Sequence, residues 1–170
     1  MRENIMRENI VLIGFMGSGK STIASLLAAA LGREMIDSDS YIESREGMSI
    51  DSIFKERGEG YFRSLEREFI ESFSFHKGLI ISTGGGMPIH NDTKNLGIRF
   101  YLKSDFDTIN KRILAINANK RPLFSDIEKA KKLYNERLKI YERESDHTID
   151  ATQKEEVVVK EILMVLESRF

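Results

Sequence analysis

Lys20 and Ser21 close the octet G-F-M-G-S-G-K-S, Gly14 to Ser21, which directly follows the apolar run Ile10-Val11-Leu12-Ile13. Two glycines separated by four residues and followed by Lys and Ser form a phosphate-binding pattern in which each residue type has a task. Glycine lets backbone N–H groups approach phosphate oxygens with no Cβ in the way. Lys20 carries a fixed positive charge to the β- and γ-phosphates, and the Ser21 hydroxyl is a ligand for Mg²⁺. The helix-forming stretch from Ser21 to Leu31 sets the phosphates at a helix N-terminus, where the dipole favours anions. A nucleoside triphosphate is the expected ligand, against the alternative of an ordinary glycine turn between strand and helix.

Further candidates follow along the chain. Asp37 and Asp39, at i and i+2 of the segment Met35-Ile36-Asp37-Ser38-Asp39, project to one side of an extended strand end. One carboxylate there can hold Mg²⁺ through water, and the second can orient or deprotonate an acceptor hydroxyl; Asp and Ser are also common helix N-caps. Ile80-Ile81-Ser82-Thr83 runs into Gly84-Gly85-Gly86, either a flexible turn or uncovered backbone N–H groups ready for a hydroxyl or phosphate oxygen. Arg63 follows Phe62 at the start of an apolar helix, and Arg137 shares a helical face with Tyr134, Leu138 and Tyr141. A guanidinium on a packing face needs a partner: an internal carboxylate, a snorkelling exit to solvent, or a bidentate substrate carboxylate. Arg121 lies in a polar loop before Pro122 and is either solvated or a charge clamp on a transferring phosphate. His76, His90 and His147 lack metal-ligand spacing and read as structural or surface residues.

Apolar strand-like runs alternate with helical patterns, the signature of a parallel sheet covered on both faces. The strands are expected at 9–13, 34–37, 79–82, 99–102 and 147–149. Tyr61, Leu65, Phe69 and Phe73 recur every fourth residue as one helical stripe, and Val158, Ile162, Val165 and Leu166 mark another. At 170 residues the chain is expected to be a single domain, 1–170. Within it, about 38–63 reads as a substrate-binding segment and about 115–126 as a polar lid.

Lys and Arg number 26 against 27 Asp and Glu, for a net charge of −1, so nothing electrostatic calls for nucleic acid or an anionic membrane as partner. The absence of cysteine excludes disulfides, thiolate catalysis and zinc thiolate sites. No apolar run approaches the roughly 18 residues of a membrane span. Met1-Arg2-Glu3-Asn4-Ile5 recurs verbatim as Met6 to Ile10 and reads as an extended start rather than an architectural repeat. It lacks the apolar centre and cleavage site of a secretory signal, and a cytoplasmic protein is expected.

In combination these residues closely resemble shikimate kinase, a P-loop kinase family of the nucleoside-monophosphate-kinase structural group. The resemblance is carried by G-F-M-G-S-G-K-S, D-S-D, the stretch from Gly47 to Glu66 that ends in Y-F-R-S-L-E, S-T-G-G-G, K-R-P-L, and L-Y-N-E-R-L-K-I-Y from Leu133 to Tyr141. The first motif is common to many ATPases; the set in this order is specific.

The resemblance implies a three-layer α/β sandwich with a five-stranded parallel sheet in the order 2-3-1-4-5, and transfer of phosphate from ATP to the 3-hydroxyl of shikimate with one Mg²⁺. By the same resemblance Gly17, Ser18, Gly19, Lys20, Ser21 and Thr22 would cradle the ATP phosphates, with Ser21 on Mg²⁺ and Asp37 holding it through water. Asp39 would meet the attacking hydroxyl. Arg63, supported by Glu66, and Arg137 would clamp the substrate carboxylate, and Gly84, Gly85 and Gly86 would give backbone contacts to the ring hydroxyls. Arg121 would stabilise the transferred phosphoryl, while Arg112 and the loop 151–155, including Gln153, would flank adenine. The enzyme is expected to act as a monomer on ATP and shikimate. A gluconate or nucleotide kinase is the nearest competing enzyme, since gluconate also bears a carboxylate. A degenerate, non-catalytic binder would predict loss of Lys20, Asp39 or Arg121, and all are present.

Overall fold

The computed structural model describes residues 8–116 and 122–169. Its centre is β1 (Ile10–Ile13), whose four residues are all buried. The side chains divide by the two-residue period of a strand. Val11 and Ile13 enter a core with Phe69, Ile81, Tyr101 and Tyr141. Ile10 and Leu12 enter a second core with Leu27, Phe100, Val158 and Ile162. A strand buried on both faces needs helices on both sides, which a parallel sheet with helical crossovers supplies.

The other strands are β2 (Met35–Asp37), β3 (Ile80–Ser82), β4 (Ile98–Lys103) and β5 (His147–Asp150). Each lies within a residue of its expected bounds. The order is β2-β3-β1-β4-β5, with every pairing parallel, as in Leu12 opposite both Ser82 and Phe100. All five carboxyl ends therefore lie along one edge, where ligands bind in open α/β sheets.

The helices are α1 (Lys20–Leu31), α2 (Ser38–Glu46), α3 (Ile50–Phe73), α4 (Met87–His90), α5 (Phe106–Ala115), α6 (Ile127–Glu144) and α7 (Glu155–Ser168). Capping follows the local sequence: Asp37, Ser49, Asp105 and Asp126 each accept a first-turn N–H at the start of α2, α3, α5 and α6. Helix α3 is broken at Gly58, with φ 81° and ψ 167°. The expected stripe, which lies wholly beyond the break, serves two masses. Phe69 and Phe73 pack on the main core, while Leu65 joins Ile42, Ile53 and Phe62 in a satellite core with Tyr61 against it. That satellite underlies α2 and the first part of α3. None of the helices among the described residues is long and apolar enough to cross a membrane.

Candidate active site

The phosphate-binding loop joins the end of β1 to α1. Gly14, Gly17 and Gly19 have φ of 149°, 80° and 92°, conformations that side chains rarely adopt. Gly17 is also fixed by space, since a Cβ there would stand 2.9 Å from Ile113 Cδ1 of α5. Lys20 is buried, and its ammonium donates to the carbonyls of Gly14 at 2.7 Å and Phe15 at 3.0 Å, so the charge is folded over its own loop.

Asp37 is at once a helix cap and a candidate metal group. One carboxylate oxygen accepts from Ser40 N–H at 3.0 Å, and the other accepts from the Ser21 hydroxyl at 3.1 Å. A hydroxyl and a carboxylate side by side at a phosphate loop suit a hard, oxygen-seeking cation such as Mg²⁺. These residues fit the ion.

Asp39, the second residue of α2, is held differently. Its Oδ1 is buried without a hydrogen-bond partner among the described residues. Burial, reinforced by Asp37, raises its carboxyl to about 6 against the opposing pull of Lys20. A carboxylate so placed is suited to take a proton.

The triple glycine is shaped by its neighbours. Ideal Cβ atoms at Gly84 and Gly86 would stand 2.5 Å from Asp39 Oδ1 and 2.6 Å from Arg63 Nη1. The absence of side chains makes room for these two charged groups. The Gly84 N–H is not uncovered: it donates to Ser38 Oγ at 2.9 Å. The Gly85 carbonyl accepts from the Tyr141 hydroxyl at 2.7 Å. Ser38, fully buried, and Tyr141 are thus parts of the site that the sequence reading passed over. Ser38 is the middle residue of D-S-D, and Tyr141 was legible only as a packing residue.

Arg63 Nη1 donates to Glu66 Oε2 at 2.8 Å, and Asn91 Nδ2 donates to the same oxygen at 3.2 Å. Glu66 is fully buried and its Oε1 has no partner among the described residues. Burial pushes its carboxyl up to about 7, against the hydrogen bond from Arg63. Arg137, on α6, has a buried Nε without a partner among the described residues, and its charge is felt by both Glu66 and Tyr141.

On the other side of the phosphate loop, Arg112 ties three segments together. It donates to Ser18 O at 3.2 Å, Ser104 Oγ at 3.3 Å and Ala151 O at 2.6 Å. A cavity of about 580 Å³ runs between these groups, lined by residues 16–23, Asp37, Asp39, Gly84, Gly85, Arg112 and Gln153. Thr22 is among them. Gly86, Arg63, Glu66 and Arg137 form a cluster beyond Asp39 instead. Arg121 and part of the expected lid lie outside the described residues.

Comparison with known proteins gives this arrangement a family. The family model "Shikimate kinase" matches residues 16–167. The chain belongs to the shikimate kinase family. A shikimate kinase from Helicobacter hepaticus is 46% identical over 157 residues, covering 92% of this chain and 94% of that one. The structure of shikimate kinase from Acinetobacter baumannii in complex with shikimate matches with a TM-score of 0.86 at 30% identity, over 99% of this chain and 97% of that one. A gluconokinase from Sinorhizobium meliloti aligns at a TM-score of 0.59 and 16% identity over 95% of this chain and 92% of that one, a likeness of fold alone.

Proposed function

We propose that the chain is an ATP-dependent kinase that phosphorylates the 3-hydroxyl of shikimate, in the shikimate pathway of aromatic amino-acid synthesis. One observation carries the reading beyond family membership. Asp39 Oδ1, Glu66 Oε1 and Arg137 Nε are buried polar atoms of both signs without partners among the described residues. Leaving such atoms unpaired is costly, and an acceptor bearing both a carboxylate and hydroxyls satisfies acceptors and donors together.

In the mechanism, backbone N–H groups of residues 17–22 hold the ATP phosphates, and Lys20 turns from its loop carbonyls toward them. Asp39 accepts the proton of the attacking hydroxyl as the bond to the γ-phosphorus forms and ADP leaves. Arg63 and Arg137 fix the carboxylate, which sets the hydroxyl in line with the phosphoryl group; such positioning supplies much of the barrier reduction. Ser21 directly and Asp37 through water would hold Mg²⁺, which when bound would supply positive charge to the phosphates. Arg121 serves as the charge clamp on the transferring group, and Arg112 and Gln153 border adenine. The segment about 38–63 closes on the acid and about 115–126 acts as lid of a single-domain enzyme. A cytoplasmic monomer whose partners are ATP and shikimate alone, without nucleic acid, completes the proposal.

The test is a coupled ADP-release assay with shikimate, gluconate and nucleoside monophosphates. Turnover with shikimate alone is expected; turnover with gluconate or a nucleotide instead would refute the reading.

A further inference from the structure

Arg63 is a fork whose two sides are engaged by different acids. Nη1 is committed to Glu66, whose side chain is 1% exposed. Nε and Nη2 make up the other side, the edge by which a guanidinium takes a carboxylate through two parallel bonds. Both donate to a single oxygen, Glu59 Oε1, at 3.3 and 3.2 Å. Glu59 is 56% exposed and directly follows the break at Gly58. The same oxygen lies 3.7 Å from His90 Nε2; burial and then the Arg63 charge lower the His90 pKa, so the imidazole would take the carboxylate through a neutral N–H rather than as an ion pair.

We propose that Glu59 is an internal stand-in for the substrate carboxylate. It occupies the open edge of Arg63 in the free enzyme, the incoming acid displaces it, and His90 receives it. The inference rests on the shikimate reading and adds a residue that sets affinity without touching the reacting atoms. The chemistry of the exchange is balanced, one carboxylate replacing another on the same two N–H donors. The difference in setting makes it workable: a pair whose carboxylate is open to solvent is held weakly, while the buried Glu66 keeps the guanidinium in place. The free fork is never left unpaired, and part of the substrate's binding energy goes into removing the occupant.

Glu59→Gln keeps the shape and removes the charge. It is expected to lower the shikimate KM, and the calorimetric Kd for shikimate without nucleotide, by about two- to fivefold, the equivalent of one exposed ion pair. The ATP KM and kcat should not change. Glu56→Gln, at another exposed acid of α3, controls for long-range charge, which salt screens, and should leave the shikimate KM where it was. A shikimate KM that is unchanged or raised in Glu59→Gln overturns the proposal, as does an equal fall in both variants. If the unsubstituted enzyme itself fails to turn over shikimate, the reading of the reaction falls, a result distinct from either outcome.

Discussion

Asp39 occupies the space that a side chain at Gly84 would need: a Cβ there would stand 2.5 Å from Asp39 Oδ1. The glycine therefore places the proposed base as much as it frees backbone. Gly84→Ala is expected to push the carboxylate aside and lower kcat by about tenfold to a hundredfold, the usual consequence of an ångström-scale misplacement. At Gly86 the crowded group is Arg63, so Gly86→Ala should act on the shikimate KM more than on kcat. Steady-state rates with each substrate varied in turn separate the two.

Asp39→Asn should lose activity and gain stability. The folded carboxyl, raised by burial to about 6, binds its proton more tightly than the unfolded one near 3.9. Its contribution to stability is thus fully present at low pH and is lost as pH rises through about 6. At pH 8, without nucleotide or metal, removing the buried charge should stabilise the fold by about 1–3 kcal/mol, shrinking toward pH 5. kcat should fall by about 10²- to 10⁴-fold. Thermal melts at the two pH values check the first half and initial rates the second.

The elements were more legible than the contacts between them. The positions of β1 and β3 follow from short apolar runs ended by the phosphate loop and by Ser82-Thr83, because a strand buried on both faces leaves a continuous signal. The break at Gly58 was hidden, since the four-residue stripe from Tyr61 to Phe73 lies wholly beyond it and shows no fault. Chemistry carried within a motif was visible, as with Lys20, Ser21 and the D-S-D carboxylates. The bond from Asn91 to Glu66 spans 25 residues and that from Tyr141 to Gly85 spans 56. Neither residue has a local pattern that announces it. Only folding α4 and α6 against the carboxyl edge of the sheet brings them to the site.

Glu66 offers the clearest pH signature of the cluster. Its carboxyl, buried beside Arg63 and raised to about 7, also favours the folded state most when protonated. That contribution fades as pH climbs from the unfolded value near 4.3 through about 7. Glu66→Gln retains an acceptor for Arg63 and Asn91 but carries no charge. Its Tm should exceed that of the unsubstituted protein by a few degrees at pH 8.5, and the two should converge near pH 5. A Tm gap that widens on acidification would contradict the burial argument. The shikimate KM should rise in this variant, because Arg63 is anchored less firmly.

Arg112 and Arg137 lie on opposite sides of the phosphate loop and should fail on opposite substrates. Arg112 has three acceptors already in place on Ser18, Ser104 and Ala151, so its removal loosens the walls of the nucleotide side. Arg112→Ala should raise the ATP KM and leave the shikimate KM nearly unchanged. Arg137 keeps a buried Nε without a partner among the described residues, a donor reserved for an anion. Hydrogen bonds to charged groups are worth about 1.5–3 kcal/mol, so Arg137→Ala should raise the shikimate KM about ten- to a hundredfold, with little change for ATP. Arg137→Lys restores the charge but not the planar fork and should recover only part of the loss. Equal effects of Arg137→Ala on both substrates would remove it from the carboxylate clamp, and full recovery with lysine would show that charge alone, not bidentate geometry, holds the acid.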